Sequence, residues 1–276
     1  MYKILITSDD GIFSNGVELL YHAVKDLGKI CIVVPEKPRS ACSLSLTLHK
    51  PLRVRSLKLW NVDVYVISGT PADCICLGLL KLCEDVDIVL SGINLGDNTS
   101  LQAILTSGTV GAIIQAHIFG ISGIAFSTVI ENEKELLSND KLVKFMKLTI
   151  HELVKHVLNS EKLRGNLVLN VNFPSRVTSS TILRYVRCAK LKMRLKIDER
   201  FDPKSIPYYW LYGEYIEAEK DTDYYVVHVE NNVAITPLVL DLNVDRRGVE
   251  NYLEVLENEV RQIINEVNNS LRRQSF

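Results

Sequence analysis

The feature that most constrains the fold of this chain is a set of short, almost continuously apolar runs at residues 3–7, 29–34, 64–68, 87–91 and 122–127. Strands lack polar alternation in this way when both faces of their sheet are covered. Between them lie segments with helical spacing, at 16–27, 72–82 and 108–119. Alternation of such strands with helices predicts an α/β fold: a mainly parallel sheet with right-handed crossovers and helices on both faces.

The regular order breaks at residues 44–57, where Ser, Leu and Thr alternate before Lys50-Pro51, and an extended excursion or hairpin is expected instead of a crossover helix. After a helix at about 142–158 come short strand candidates at 167–173, 182–186, 208–212, 225–229 and 233–236, with few helices between them. We therefore divide the chain into a core at 1–160, carrying an excursion at 42–58, and an extension at 161–276 with antiparallel strands and a terminal helix packed on the core. Lys190 to Ile197 alternates strictly between basic and apolar residues. A strand there buries one face and presents four cations on the other. It serves either as a charge-guarded edge or as an anion-binding surface. At the end of the chain Val249, Leu253, Leu256, Val260, Ile263, Val267 and Leu271 form a narrow apolar stripe. Such a stripe packs on its own domain or on another subunit.

Charge excludes several classes. With 32 Lys+Arg against 33 Asp+Glu the net charge is −1, which argues against a generally basic nucleic-acid binder. Residues 98–130 hold no Asp, Glu, Lys or Arg. Scattered Gln115, His117, Ser122 and Ser127, divided by Gly120 and Gly123, fit a buried helix and strand better than a membrane span. The N-terminal apolar run stops at Asp9 and is too short for a signal-peptide core, so a cytoplasmic location and no membrane partner are expected. The six cysteines include no Cys-x-x-Cys pair, so zinc-ribbon and thioredoxin-like readings lack support. Cys31, Cys74 and Cys76 read as buried small hydrophobes, with a structural disulfide the alternative. His151 and His156 bracket a near-HExxH, but at five residues apart they point about 140° from each other and cannot share a metal from one helix face. Walker A, Gly-x-Gly-x-x-Gly and Gly-x-Ser-x-Gly motifs are missing where they would matter.

The strongest local signal is Thr7-Ser8-Asp9-Asp10-Gly11 at the end of the first strand. Ligands of open parallel sheets bind outside the carboxyl ends of the strands, and ionising adjacent carboxylates there is costly without a cation. Oxygen ligands of this kind suit Mg²⁺, Mn²⁺ or Ca²⁺; a plain turn or helix cap is the other reading. Three more loops follow strands or open helices. Residues 35–43 carry Arg39, Ser40 and Ser43. Residues 91–98 carry two Gly, two Asn and Asp97, with Asn94 able to offer a carbonyl ligand. Ser107-Gly108-Thr109 opens a helix, where free N–H groups and hydroxyls suit a phosphate, although Ser107 alone also suits an N-cap. Ser68 to Asp73 reads as a helix start beside the site.

Taken in order, Ile4-Leu-Ile-Thr-Ser-Asp-Asp-Gly11, Ser43-Leu-Ser-Leu-Thr-Leu48, Ser68-Gly-Thr-Pro-Ala-Asp-Cys74, Ser91-Gly-Ile-Asn-Leu-Gly96 and Ser107-Gly-Thr-Val-Gly-Ala112 resemble the motifs of the SurE family of nucleotidases. Tyr209-Trp-Leu-Tyr-Gly213 and Ile235-Thr-Pro-Leu238 resemble its C-terminal motifs. The resemblance implies a Rossmann-like three-layer core with a protruding β-hairpin and a C-terminal oligomerisation region, giving homodimers or homotetramers. It implies metal-dependent hydrolysis of nucleoside 5′- and 3′-monophosphates and, as in some members of the family, action on short polyphosphate. One Mg²⁺ or Mn²⁺ per subunit would be held by Asp9, Asp10, Ser40 and Asn94. Asp9 and Asp10 are the catalytic candidates, and Ser107, Gly108 and Thr109 the phosphate-binding ones. Departures from the family pattern are Ser8 for Asn, Cys42 and Ser43 in a Gly-rich stretch, and Thr106 for Tyr; they bear on substrate preference more than on the metal ligands. The alternatives are a nucleotide- or phosphate-sensing module without turnover, and a binder of polyphosphate or nucleic acid through the 190–196 basic ladder. On the main reading no stable nucleic-acid partner is expected.

Overall fold

The first apolar run forms β1 (Tyr2–Thr7), and the chain then alternates α1 (Asn15–Val24), β2 (Gly28–Pro35), β3 (Val54–Leu59), β4 (Val62–Ile67), α2 (Pro71–Leu77) and β5 (Ile88–Leu95). These belong to a computed structural model that describes residues 1–240 and 249–274. Next come α3 (Ser100–Thr106), α4 (Gly108–Ile118), β6 (Ser122–Thr128), α5 (Glu133–Ser138), α6 (Asp140–Asn159), β7 (Val168–Phe173) and β8 (Leu183–Tyr185). The remaining elements are β9 (Met193–Phe201), β10 (Pro207–Tyr215), α7 (Asp223–His228), β11 (Val233–Pro237) and α8 (Val249–Arg273).

Among the described residues the main sheet has nine strands in the order β3-β4-β2-β1-β5-β6-β7-β11-β8. β1 pairs in parallel with β2 on one side and β5 on the other. The chain thus builds outward from β1 in one direction, then crosses back and builds in the other. Successive strand residues enter opposite cores: Ile4 and Ile6 face one, Leu5 the other, and Ile88 and Leu90 alternate with Val89 in the same way. One core holds residues of α1, α6 and α8, and the other residues of α2 and α4. This is the expected three-layer α/β arrangement. Each fully buried Leu or Ile contributes about 1.5–3 kcal/mol relative to exposure.

The charge-free stretch is two helices and a strand: α3 and α4 meet at a 71° bend before β6. No single described helix is long and apolar enough to cross a membrane. The excursion after residue 42 ends in β3, which forms an antiparallel hairpin with β4 at the sheet edge. The separate hairpin is made by β9 and β10.

Three readings need correction, and one open alternative is decided. Residues 225–229 are not a strand; they fall on α7 and its end, because the Thr222 side chain caps the helix and accepts from the Tyr225 N–H, while buried Asp223 accepts from the N–H groups of Ser100, Ala189 and Tyr224. Cys31 does not pack as a lone hydrophobe but is joined to Cys83 by a disulfide across a Cα–Cα distance of 6.1 Å; Cys74 is buried as a thiol. Of the 190–197 alternation only residues 193–197 enter β9, and neither face of that strand is buried, since Leu195 and Ile197 are exposed. Nor are its cations a common set, because Lys192 is turned inward. The terminal stripe packs on its own core through Leu256, Val260, Ile263, Val267 and Leu271. Of that stripe, the side chain of Val249 lies outside the described residues.

Candidate functional site

The carboxyl ends of β1 and β5 adjoin at the point where strand order reverses, the position at which open α/β sheets bind ligands. Asp9 and Asp10 follow β1 after Ser8, and Asn94 lies at the end of β5, beyond a register shift between Ser91 and Asn94. Such irregularities re-aim side chains next to functional sites. The loop after β2 is drawn in by the Arg39 N–H, which donates to the Asp9 carbonyl at 2.8 Å. Ser43 ties the same loop to the end of α3 through its N–H to Thr106 O at 3.0 Å and its hydroxyl to Leu105 O at 2.7 Å. Ser107 caps α4, accepting from Val110 N–H at 3.1 Å. Asp9, Asp10, Ser40, Asn94 and Ser107 all line one cleft of about 470 Å³.

Thr109 joins these loops. Its hydroxyl donates to Asp9 Oδ1 and stands 3.3 Å from Asn94 Oδ1. Asn94 Nδ2 donates to Gly96 O at 2.6 Å, which turns Oδ1 toward Thr109. Thr109 is fully buried and does not line the cleft; its hydroxyl and N–H both serve the Asp9 carboxylate. Gly108 is pressed against the same carboxylate. A Cβ there would come within 3.0 Å of Asp9 Oδ2 and 2.8 Å of Cys42 Sγ, so only glycine lets α4 begin this close.

Burial raises the Asp9 carboxyl above its ordinary value, against the Thr109 and backbone donors that favour its charged form. Burial, and then the charge of Asp9, push Asp10 up to about 6, while the Leu95 N–H, 3.5 Å from Oδ2, works the other way. Among the described residues no group of three or more His, Cys, Asp or Glu is gathered for a metal. A cation here would therefore draw on two carboxylates and the neutral oxygens of Asn94 and Ser40. An all-oxygen set of that kind suits a hard divalent ion, and two neighbouring desolvated carboxylates are the arrangement such an ion relieves. The residues present fit it. The histidines of the near-HExxH bond elsewhere: His151 to Asp26 and Glu152, both at 3.1 Å, and His156 to Glu266 at 2.9 Å.

Three groups that shape the site were not among the site residues expected from the sequence. Asp97 accepts from Lys192 Nζ at 3.1 Å and from the Thr99 hydroxyl, with His228 Nε2 at 3.5 Å. Burial acts to raise the Asp97 carboxyl, but His228, Lys192 and Thr99 together hold it well below its usual range. Lys192 also donates to the Asp97 carbonyl at 3.0 Å and, among the described residues, is the only Lys, Arg or His lining the cleft. Asn170 and Asn172 on β7 hold the 94–98 loop from beneath: Asn170 Nδ2 donates to Asn98 O, and Asn172 Oδ1 accepts from Asn98 N, both at 2.8 Å. The signal was two buried asparagines alternating with Leu169 and Val171 on an otherwise apolar strand. Elsewhere on the ladder Lys196 pairs with Glu214 at 2.6 Å, so half of its four cations are already matched to carboxylates.

The chain matches the family model described as Survival protein SurE over residues 4–195. It is 43% identical over 274 residues to 5′-nucleotidase SurE of Hyperthermus butylicus, covering 99% of this chain and 96% of the relative. It is 45% identical over 241 residues to 5′-nucleotidase SurE of Pyrobaculum arsenaticum, covering 87% and 91% respectively. Its fold is similar to the crystal structure of the SurE protein from Aquifex aeolicus, with TM-score 0.72 and 34% identity, covering 91% of this chain and 99% of that one.

Proposed function

Because this chain belongs to the SurE family, we propose that it is a 5′-nucleotidase, a phosphoric monoester hydrolase that cleaves nucleoside 5′-monophosphates to nucleoside and phosphate. Nucleoside 3′-monophosphates and short polyphosphate fall within the same reading, since each presents a terminal phosphoryl group. The observation that carries it is the convergence of Asp9, Asp10, Asn94, Ser40 and Ser107 on one cleft at the switch point of the sheet.

Asp9, Asp10, Ser40 and Asn94 are the residues we assign to one Mg²⁺ or Mn²⁺. When bound, such an ion supplies charge to polarise a phosphate oxygen and favour attack by water. The protein's own part is to hold these oxygens ready. Thr109 fixes the Asp9 carboxylate, and the Gly96 carbonyl fixes the Asn94 amide. Asp10, more open to the cleft than Asp9, takes the proton of the attacking water in this reading. The Ser107 hydroxyl, which accepts from Val110, keeps its own proton to donate to a phosphate oxygen. Gly108 lets that helix start approach closely, where the N-terminal dipole favours an anion. We place Thr109 with the carboxylate it bonds.

For assembly we propose a homodimer or homotetramer. The support is the hairpin of β9 and β10, where Phe201, Ile206, Tyr209 and Trp210 are exposed among the described residues on a separate two-stranded ribbon, a pattern that marks interaction surfaces. Residues 161–276 would supply this contact, and a cytoplasmic setting suits the proposed substrates. The test is an assay of purified protein on nucleoside monophosphates with Mg²⁺, with Mn²⁺ and with EDTA. Release of phosphate only with metal, and its loss in Asp10→Ala, supports the proposal. Metal-independent turnover, or full activity in that variant, overturns it; tight metal-dependent binding of nucleotide without release of phosphate points to a sensing module.

A further inference from the structure

The phosphoryl chemistry leaves one side of the cleft unused. At about 470 Å³, the cavity falls in the roughly 300–1,000 Å³ range of sites that enclose whole small molecules. Its floor is the polar set after β1 and β5, but the side formed by the root of the hairpin is apolar: Met193, Leu195 and Leu211. These three share one face of the ribbon. Met193 and Leu195 are two apart on β9, and Leu211 lies opposite Ile197, the next residue of that row. Gly213 is part of the construction, because a Cβ there would run into the Met193 side chain that crosses the strand at that point.

The root is also fastened to the floor. Lys192, one residue before β9, donates to both the carbonyl and the carboxylate of Asp97 on the loop that carries Asn94. The side chains of this pair are only 11% and 8% exposed, so the hairpin root cannot drift from the loop without breaking a buried ion pair. With a divalent cation on its carboxylates, a cleft that is oxygen-lined at one end and aliphatic at the other would match a ligand that is anionic at one end and apolar at the other. A nucleoside monophosphate is such a ligand: a charged phosphate joined to a sugar and a flat, largely apolar base face.

Building on the nucleotidase reading, we propose that Met193, Leu195 and Leu211 form the nucleoside subsite, an apolar wall for the sugar and base face, with Lys192 as the residue that positions it. Leu195 and Leu211 are 54% and 66% exposed, so polar substitution leaves the folded core untouched. Leu195→Ser and Leu211→Ser, made separately, are assayed with Mn²⁺ on adenosine 5′-monophosphate and on glycerol 2-phosphate, which has no base. The readout is the ratio of the two kcat/KM values on one preparation, from which the amount of active protein cancels. Each variant should lower the nucleotide-to-glycerol-phosphate ratio about tenfold through the KM of the nucleotide, or about 1.4 kcal/mol. Lys192→Met should lower the same ratio, and Lys192→Arg should restore part of it. If the wild type hydrolyses both substrates and no variant moves the ratio, the subsite is overturned while hydrolysis stands. If the wild type hydrolyses neither, the nucleotidase reading falls and takes the subsite with it.

Discussion

The floor of the cleft rests on the carboxyl ends of β1 and β5, in the middle of a nine-stranded sheet, while its far wall is a separate two-stranded ribbon whose side chains there are largely exposed among the described residues. On the floor the groups that carry the chemistry are held by hydrogen bonds: Thr109 on Asp9, Gly96 on Asn94, and Asn170 and Asn172 on the loop above them. On the wall the contributing side chains are apolar and mostly exposed. The contrast follows from what each side has to do. Paired carboxylates are tolerated in a desolvated place only if neighbouring groups fix them, whereas an apolar wall works by area and tolerates looser placement.

Substitutions can break this comparison at graded strengths. The largest effect should come from Asp9→Asn, which removes a charge from the floor: kcat/KM should fall about a thousandfold on nucleotide and glycerol phosphate alike, read by steady-state kinetics with Mn²⁺. A loss confined to the nucleotide would mean that floor and wall are not separate in function. Next is the fastening between the two sides. Asp97→Asn leaves Lys192 buried without its counter-charge and should cost about 3 kcal/mol in urea unfolding. The sign with pH is fixed by the depressed Asp97 pKa. The stability it contributes is fully present above its unfolded value, near 3.9, and drains away as the pH falls toward the lower folded value. The gap between wild type and Asp97→Asn should therefore narrow when unfolding is repeated near pH 3.

Smaller effects sharpen the account of the floor. Thr109→Val keeps the shape but removes the hydroxyl that holds Asp9, and should raise the metal concentration for half-maximal activity about tenfold. Ser40 is exposed and offers a neutral oxygen; Ser40→Ala should move the same titration by only about fivefold. A Ser40 effect larger than that of Thr109 would show that the loop after β2, and not the buried scaffold, governs the site.

The same contrast explains what was legible in the sequence. The sheet and the floor announce themselves because apolar strands, and polar loops at their carboxyl ends, follow local rules. Thus Asp9, Asp10, Asn94, Ser40 and Ser107 stand out in the sequence and do line one cleft. The wall follows no local rule. Alternation at 190–197 predicts a strand but says nothing of what its faces meet, and Lys192 looks like its three fellow cations until Asp97 is seen beside it. Residues 225–229 mislead for a related reason: Tyr and Val favour strands, yet a helix cap at Thr222 and the three N–H groups held by Asp223 override that preference.

The disulfide between Cys31 and Cys83 lies outside this contrast but bears on how the floor is assembled. Its sequence separation is 52 residues, and the loop bearing Ser40 falls inside the segment it closes. β1 and β5, which must become neighbours to bring Asp9 and Asn94 together, lie on the two tails that leave this ring at its joined ends. As a graph of covalent bonds, the route from one strand to the other then skips the ring altogether. A long-range strand pairing acquires the closure entropy of a much shorter loop, so even an oxidised, denatured chain keeps the two ends of its future site on a short tether.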